Sequence, residues 1–133
     1  MGMEKLQNKL INYSKAVDRL KESLKRDETD DIVLDAVIQR FEFTYELSWK
    51  LLKEYLSYNG LTDVRTPREA FKEAFSTEVV DEGDVWIDML NDRNLTSHTY
   101  DKAEAKEIYA RIKNNYYKIL NKLKETISKE IKA

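Results

Sequence analysis

The chain has 133 residues, of which 41% are hydrophobic and 36% charged, with a formal net charge of −2. This is the length of one domain with enough apolar content for a core, and three glycines and one proline are too few turn residues for a β-sandwich or barrel. The absence of cysteine excludes disulfides and thiolate chemistry.

The elements read as helices in chain order. Residues 3–26 place Leu6, Leu10, Tyr13, Val17, Leu20 and Leu24 at steps of four and three, a heptad-like stripe. Asp27 to Asp30 breaks the pattern, and Thr29 or Asp30 can cap the next helix. That second helix is expected over 31–58. Ile32, Val37 or Ile38, Phe41, Tyr45, Leu52 and Tyr55 or Leu56 share a stripe that Phe43, Leu47, Trp49 and Leu51 widen. A helix apolar around so much of its girth belongs at the centre of the bundle, or in a dimer interface as well. Asn59-Gly60 supplies a left-handed stop.

Thr66-Pro67-Arg68-Glu69 is a capping box with proline at the first helical position, opening a short third helix. A fourth is expected over 82–94 with Val85, Trp86, Met89 and Leu90 inward. Leu95 to Asp101 reads as a polar turn, and Asp101 caps a last helix over 102–129 with the stripe Ala105, Ile108, Ile112, Tyr116, Ile119, Leu123 and Ile127. Long helices joined by brief loops pack as an all-α, antiparallel, up-and-down four-helix-type bundle with an extra short helix. One such domain is expected over residues 1–133. No apolar run approaches the roughly 18–20 residues of a membrane span. The N-terminus is too polar for a signal sequence, so the expected location is the cytoplasm, away from membranes.

Charge is segregated. Residues 74–92 carry six acids and no Lys or Arg, whereas residues 102–133 carry nine bases against four acids. A basic helix can track phosphates or an acidic partner. It can equally be a solvated face with cations placed to suit the helix dipole.

Reactive side chains concentrate in Asn91-Asp92-Arg93-Asn94-Leu95-Thr96-Ser97-His98-Thr99-Tyr100-Asp101. His98 is the only histidine, so any imidazole chemistry must use it. If the helix frays near Leu95, His98 can fold back beside Arg93. Such a pair suits a phosphodiester, since Arg stabilises developing negative charge and His moves a proton. Asn94 offers an amide to phosphate or base, and Tyr100 a stacking face and a hydroxyl. Each taken singly is equally a turn, cap or surface residue. On the second helix Glu42, Glu46 and Lys50 fall four apart on one face, either as an exposed ion-pair ladder or as the polar wall of a cleft. With one His and no Cys, no metal site or cofactor is expected. Asp81-Glu82-Gly83-Asp84 lacks calcium-loop spacing.

Three runs together carry a family resemblance: residues 40–50 (RFEFTYELSWK), 66–70 (TPREA) and 92–101 (DRNLTSHTYD). The chain resembles the nucleotidyltransferase substrate-binding protein family of the HEPN superfamily, over nearly its whole length. The resemblance implies an antiparallel bundle that homodimerises. It implies a complex with a separately encoded minimal nucleotidyltransferase, which holds the catalytic carboxylates and metal ions. Related HEPN toxins carry Arg-x4–6-His and cut RNA without metal; Arg93 and His98 match that motif, and Asn94 matches its following polar residue. In one toxin branch the partner adenylylates a tyrosine two residues beyond the histidine, which makes Tyr100 a candidate acceptor. Outside this motif the chain is more similar to the substrate-binding branch.

Three readings are open at this point. The first is a dimeric binding subunit of a toxin–antitoxin-like module, which presents a nucleotide or target group to the transferase through Arg93, Asn94, His98 and Tyr100, with Glu46 and Lys50. The second is a metal-independent endoribonuclease using Arg93 and His98. The third is a structural adaptor in which the motif is a capped turn.

Overall fold

The computed structural model describes residues 2–97 and 101–132. Helix α1 spans Gly2–Leu24, α2 Asp31–Tyr58, α3 Pro67–Ser76 and α4 Gly83–Thr96. The last helix comprises α5 (Lys102–Arg111), a π-helical turn (Ile112–Tyr116) and α6 (Tyr117–Lys132). No helix among the described residues is long and apolar enough to cross a membrane.

Side-chain contacts fix the helix directions. Lys5 at the start of α1 pairs with Glu54 near the end of α2 at 3.3 Å, and Arg40 donates to the Arg19 carbonyl at 2.7 Å, so α1 and α2 are antiparallel. Asp31 pairs with Lys102 at 3.1 Å and Tyr55 reaches Glu130 at 3.4 Å, so α2 runs parallel to α5–α6. Asp81 pairs with Lys122 and Asp92 with Arg111, each at 2.7 Å, which sets α4 antiparallel to the last helix. The result is the up-down-up-down bundle expected, with α3 as the extra helix.

Local chemistry sets the boundaries. The Asp30 carboxylate accepts from the Ile32 amide at 2.9 Å and caps α2. The end of α2 is a Schellman turn. In it the Leu61 amide bonds to the Leu56 carbonyl at 2.9 Å, the Gly60 amide bonds to that of Ser57 at 3.0 Å, and Gly60 sits at φ +101°. Thr66 accepts from the Glu69 amide at 3.2 Å, and Asp101 from the Glu104 amide at 2.8 Å, as their spacings predict.

The core is a single cluster fed by every helix, and α2 lies at its centre. An aromatic chain crosses it: Tyr116 stacks on Phe41 at 5.5 Å, Phe41 meets Tyr45 at 6.3 Å, Tyr45 meets Phe71 edge-on at 5.7 Å, and Phe71 meets Trp86 at 4.9 Å. Such pairs add about 0.5–1.5 kcal/mol each beyond area burial. All seven predicted stripe positions of the last helix are buried. On α2 the stripe is narrower than its composition suggests. Val37, Ile38, Phe41, Tyr45, Leu51, Leu52 and Leu56 are buried, but Ile32 is 78% exposed and Phe43 60%. Eleven residues are close to three turns, so these two lie within about 20° of each other on the outer face. Residue type alone cannot say which flank of a wide apolar face is left uncovered.

Candidate functional site

Helix α4 brings the chemistry of the 91–101 run to the bundle. It does not fray at Leu95 but continues through Thr96, so Leu95 and Thr96 are helical rather than part of a turn, and Arg93 is held within a regular helix. Two features hold this last turn in place. The Thr96 hydroxyl donates to the Glu42 carboxylate on α2 at 2.6 Å and also approaches the Arg93 carbonyl at 2.9 Å. The Ser97 hydroxyl donates to the Asn94 carbonyl at 2.7 Å.

Arg93 projects from this turn toward α2. One guanidinium nitrogen lies 3.4 Å from Glu42, and the Arg93 side chain is 32% exposed. The ion pair thus positions the guanidinium while leaving part of its donor fork open to solvent, the state in which Arg can take a phosphate oxygen. Glu42 is therefore drawn away from the α2 ladder. Glu46 and Lys50 pair with each other at 3.4 Å along α2. Asn94 is exposed on the last turn of α4. His98 and Tyr100 lie outside the described residues. Tyr45, one turn from Phe41, borders the site. Burial and then the Glu46 charge push its phenol up to about 12, and the charges of Arg93 and Arg68 oppose the shift.

Behind the rim sits a second polar constellation that sequence reasoning missed. Asp92 is buried and takes Arg111 in a bidentate grip, Nε to Oδ2 at 2.7 Å and a terminal nitrogen to Oδ1 at 2.9 Å. The Tyr116 hydroxyl donates to the same carboxylate. The bond to Asp92 raises the Arg111 pKa above its ordinary value against the effect of burial. Burial, then the hydrogen bond to Asp92, pushes the Tyr116 phenol well up. Arg111 and Tyr116 are five apart, which in an α-helix would leave them about 140° apart around the axis. The intervening π turn closes hydrogen bonds over five residues, as from the Tyr117 amide to the Ile112 carbonyl, and so brings both side chains to one acceptor. A signal was present. Asp92 and Thr96 continue the inward stripe of Trp86 and Met89, and a polar residue on an apolar stripe must have a partner.

Residues 8–129 match the family described as nucleotidyltransferase substrate binding protein like. The chain belongs to this family. Among similar proteins, the probable ribonuclease HepT of Haemophilus influenzae is 35% identical over 86 residues, which cover 62% of this chain and 59% of the relative. The match therefore spans under two thirds of that relative's length. A crystal structure of a Thermus thermophilus protein superposes with a TM-score of 0.75 at 28% identity, over 91% of this chain and 99% of that one. Family membership thus rests on most of the chain, including α2 and α4, whose contact forms the Arg93 rim.

Proposed function

We propose that this family member is the substrate-binding subunit of a two-protein nucleotidyltransferase system. It homodimerises, joins a separately encoded minimal nucleotidyltransferase, and holds a nucleotide or RNA phosphate at Arg93 within a toxin–antitoxin-like module. The family match over residues 8–129 carries the reading. The half-open Arg93 supports it, since a guanidinium already oriented by Glu42 loses little further freedom on meeting a phosphate. The reading assigns substrate contacts also to Asn94, His98 and Tyr100, together with Glu46 and Lys50. Ile32 and Phe43, exposed on one face of α2, suit burial against a second copy, because large apolar side chains left open on a helix face mark interfaces. The whole is one domain working in the cytoplasm.

A second reading is favoured by the name of the Haemophilus relative and by the Arg-x4-His spacing of Arg93 and His98. Here the chain is a metal-independent ribonuclease. His98 takes the proton as a 2′-hydroxyl attacks the adjacent phosphate, the 5′-oxygen of the next nucleotide leaves and a cyclic phosphate remains, Arg93 stabilises the charge that develops, and Tyr100 is the residue whose adenylylation silences the enzyme.

One experiment separates the two. Purified protein, shown by mass to be unadenylylated, is incubated with structured and unstructured RNAs in EDTA beside Arg93→Ala and His98→Ala. The binding reading expects no cleavage by any of them, together with a stable complex on co-expression with a minimal nucleotidyltransferase from the same genome. Cleavage by the parent that both substitutions abolish moves the function to the second reading.

A further inference from the structure

A groove of about 520 Å³ lies between α3 and the first turn of α4. Its floor and walls are apolar: Phe71 beneath, with Phe75, Val85 and Ile87 around it. Phe75 is 52% exposed. It rests against Gly83, where an added Cβ would lie 3.0 Å from the ring, so the glycine lets the ring lie on the helix start and form a wall.

The rim is acidic. Asp81, Glu82 and Asp84 line it, and Lys72 is the only base among the lining residues. Asp81 is engaged by Lys122 at 2.7 Å. Glu82 and Asp84 are exposed and lie outside the ion pairs of the described residues. Glu82 makes no side-chain cap to α4 either, so a capping role does not account for it. Seven of its nine lining residues, Phe75 to Ile87, fall within the 74–92 stretch that contains no Lys or Arg. An apolar trough whose three rim carboxylates outnumber the nearby Lys72 and Lys122 is complementary to a helix with an apolar ridge and flanking Lys or Arg.

The geometry points to a docking site here for a basic amphipathic helix of the transferase partner, an inference that rests on the two-protein reading above. Glu82–Asp84 and Arg93 are about ten residues apart on α4, or about 15 Å. A partner anchored in the groove leaves the Arg93 rim open. Anchoring and chemistry are then separate surfaces on one helix.

The test is the affinity of the purified chain for a minimal nucleotidyltransferase from the same genome, measured by titration calorimetry. Phe75→Ser and the pair Glu82→Lys with Asp84→Lys are each expected to weaken binding about tenfold or more. The pair Glu4→Lys with Glu125→Lys, on other helices with the same change in charge, is expected to alter it less than about threefold. Hydrogen exchange on the unmodified complex needs no variant, and it is expected to slow across residues 71–87. Unchanged affinity in the groove variants, or exchange there as fast as in the free chain, overturns the docking site and leaves the two-protein reading intact. No binding by the unmodified chain overturns both.

Discussion

Two Arg–carboxylate pairs flank one turn of α4, on neighbouring residues, and they do different work. Asp92–Arg111 is bidentate, has a third donor in Tyr116, and has its carboxylate buried. Arg93–Glu42 is a single 3.4 Å contact with both side chains about a quarter to a third exposed. The first pair has its buried carboxylate filled by three donors, although the Arg111 side chain itself stays 38% exposed. It locks α4 to the π turn. The second is unsaturated and keeps donors in hand. A charged pair's burial and the number of its bonds, rather than its presence, separate a structural clamp from a binding group.

The contrast predicts effects of graded size. Asp92→Ala strands the buried Tyr116 hydroxyl and frees Arg111, and should cost about 3 kcal/mol in urea unfolding. A cost under about 1 kcal/mol would mean the clamp is not structural. Tyr116→Phe removes one bond to a charged acceptor and should cost about 1.5 kcal/mol. Tyr13→Phe, which loses a 2.6 Å bond to the Leu120 carbonyl, gives a neutral-acceptor reference at about 1 kcal/mol.

The rim is sharpened by pH. Tyr45 has its folded pKa raised from 10.0 to about 12. Its contribution to stability is therefore full below pH 10 and is lost as pH rises toward 12. Melting temperature should fall across that window, less steeply in Tyr45→Phe. Glu42→Gln is the smallest perturbation. It should change stability by less than about 1 kcal/mol, yet weaken phosphate-ligand binding several-fold by releasing Arg93 to other rotamers. A loss of stability as large as that of Asp92→Ala would erase the distinction between the two pairs.

Most of the fold was legible because it is local. Caps at Asp30, Thr66 and Asp101, the stop at Asn59-Gly60, and the stripes of the first and last helices depend on residues a few positions apart, as do helix propensities. What escaped was non-local or geometric. Nothing in spacing says that Glu42 turns to α4 while Glu46 and Lys50 pair along α2. The joining of Arg111 and Tyr116 at Asp92 needs a π turn that no residue type announces. Helix α4 outlasts its expected end because Thr96 finds Glu42, a partner 54 positions away. Among the sequence-derived site residues, Arg93 and Asn94 share the last turn of α4 and Glu46 and Lys50 share α2, whereas His98 and Tyr100 fall outside the described residues.

The last helix also has a bearing on how the chain is made. Its bases reach back to acids throughout the bundle: Lys102 to Asp31, Arg111 to Asp92, Lys113 to Glu28, Lys122 to Asp81 and Lys124 to Asp18. Tyr13 likewise waits for the Leu120 carbonyl, 107 positions later. During vectorial synthesis, at about 5–20 residues per second, α1 through α4 leave the ribosome with these five acids unpaired and the apolar stripe of α1 open along one side. The bundle closes only when the final quarter of the chain arrives. For a few seconds the nascent chain is acidic and half-covered, with apolar surface that only the last helix closes.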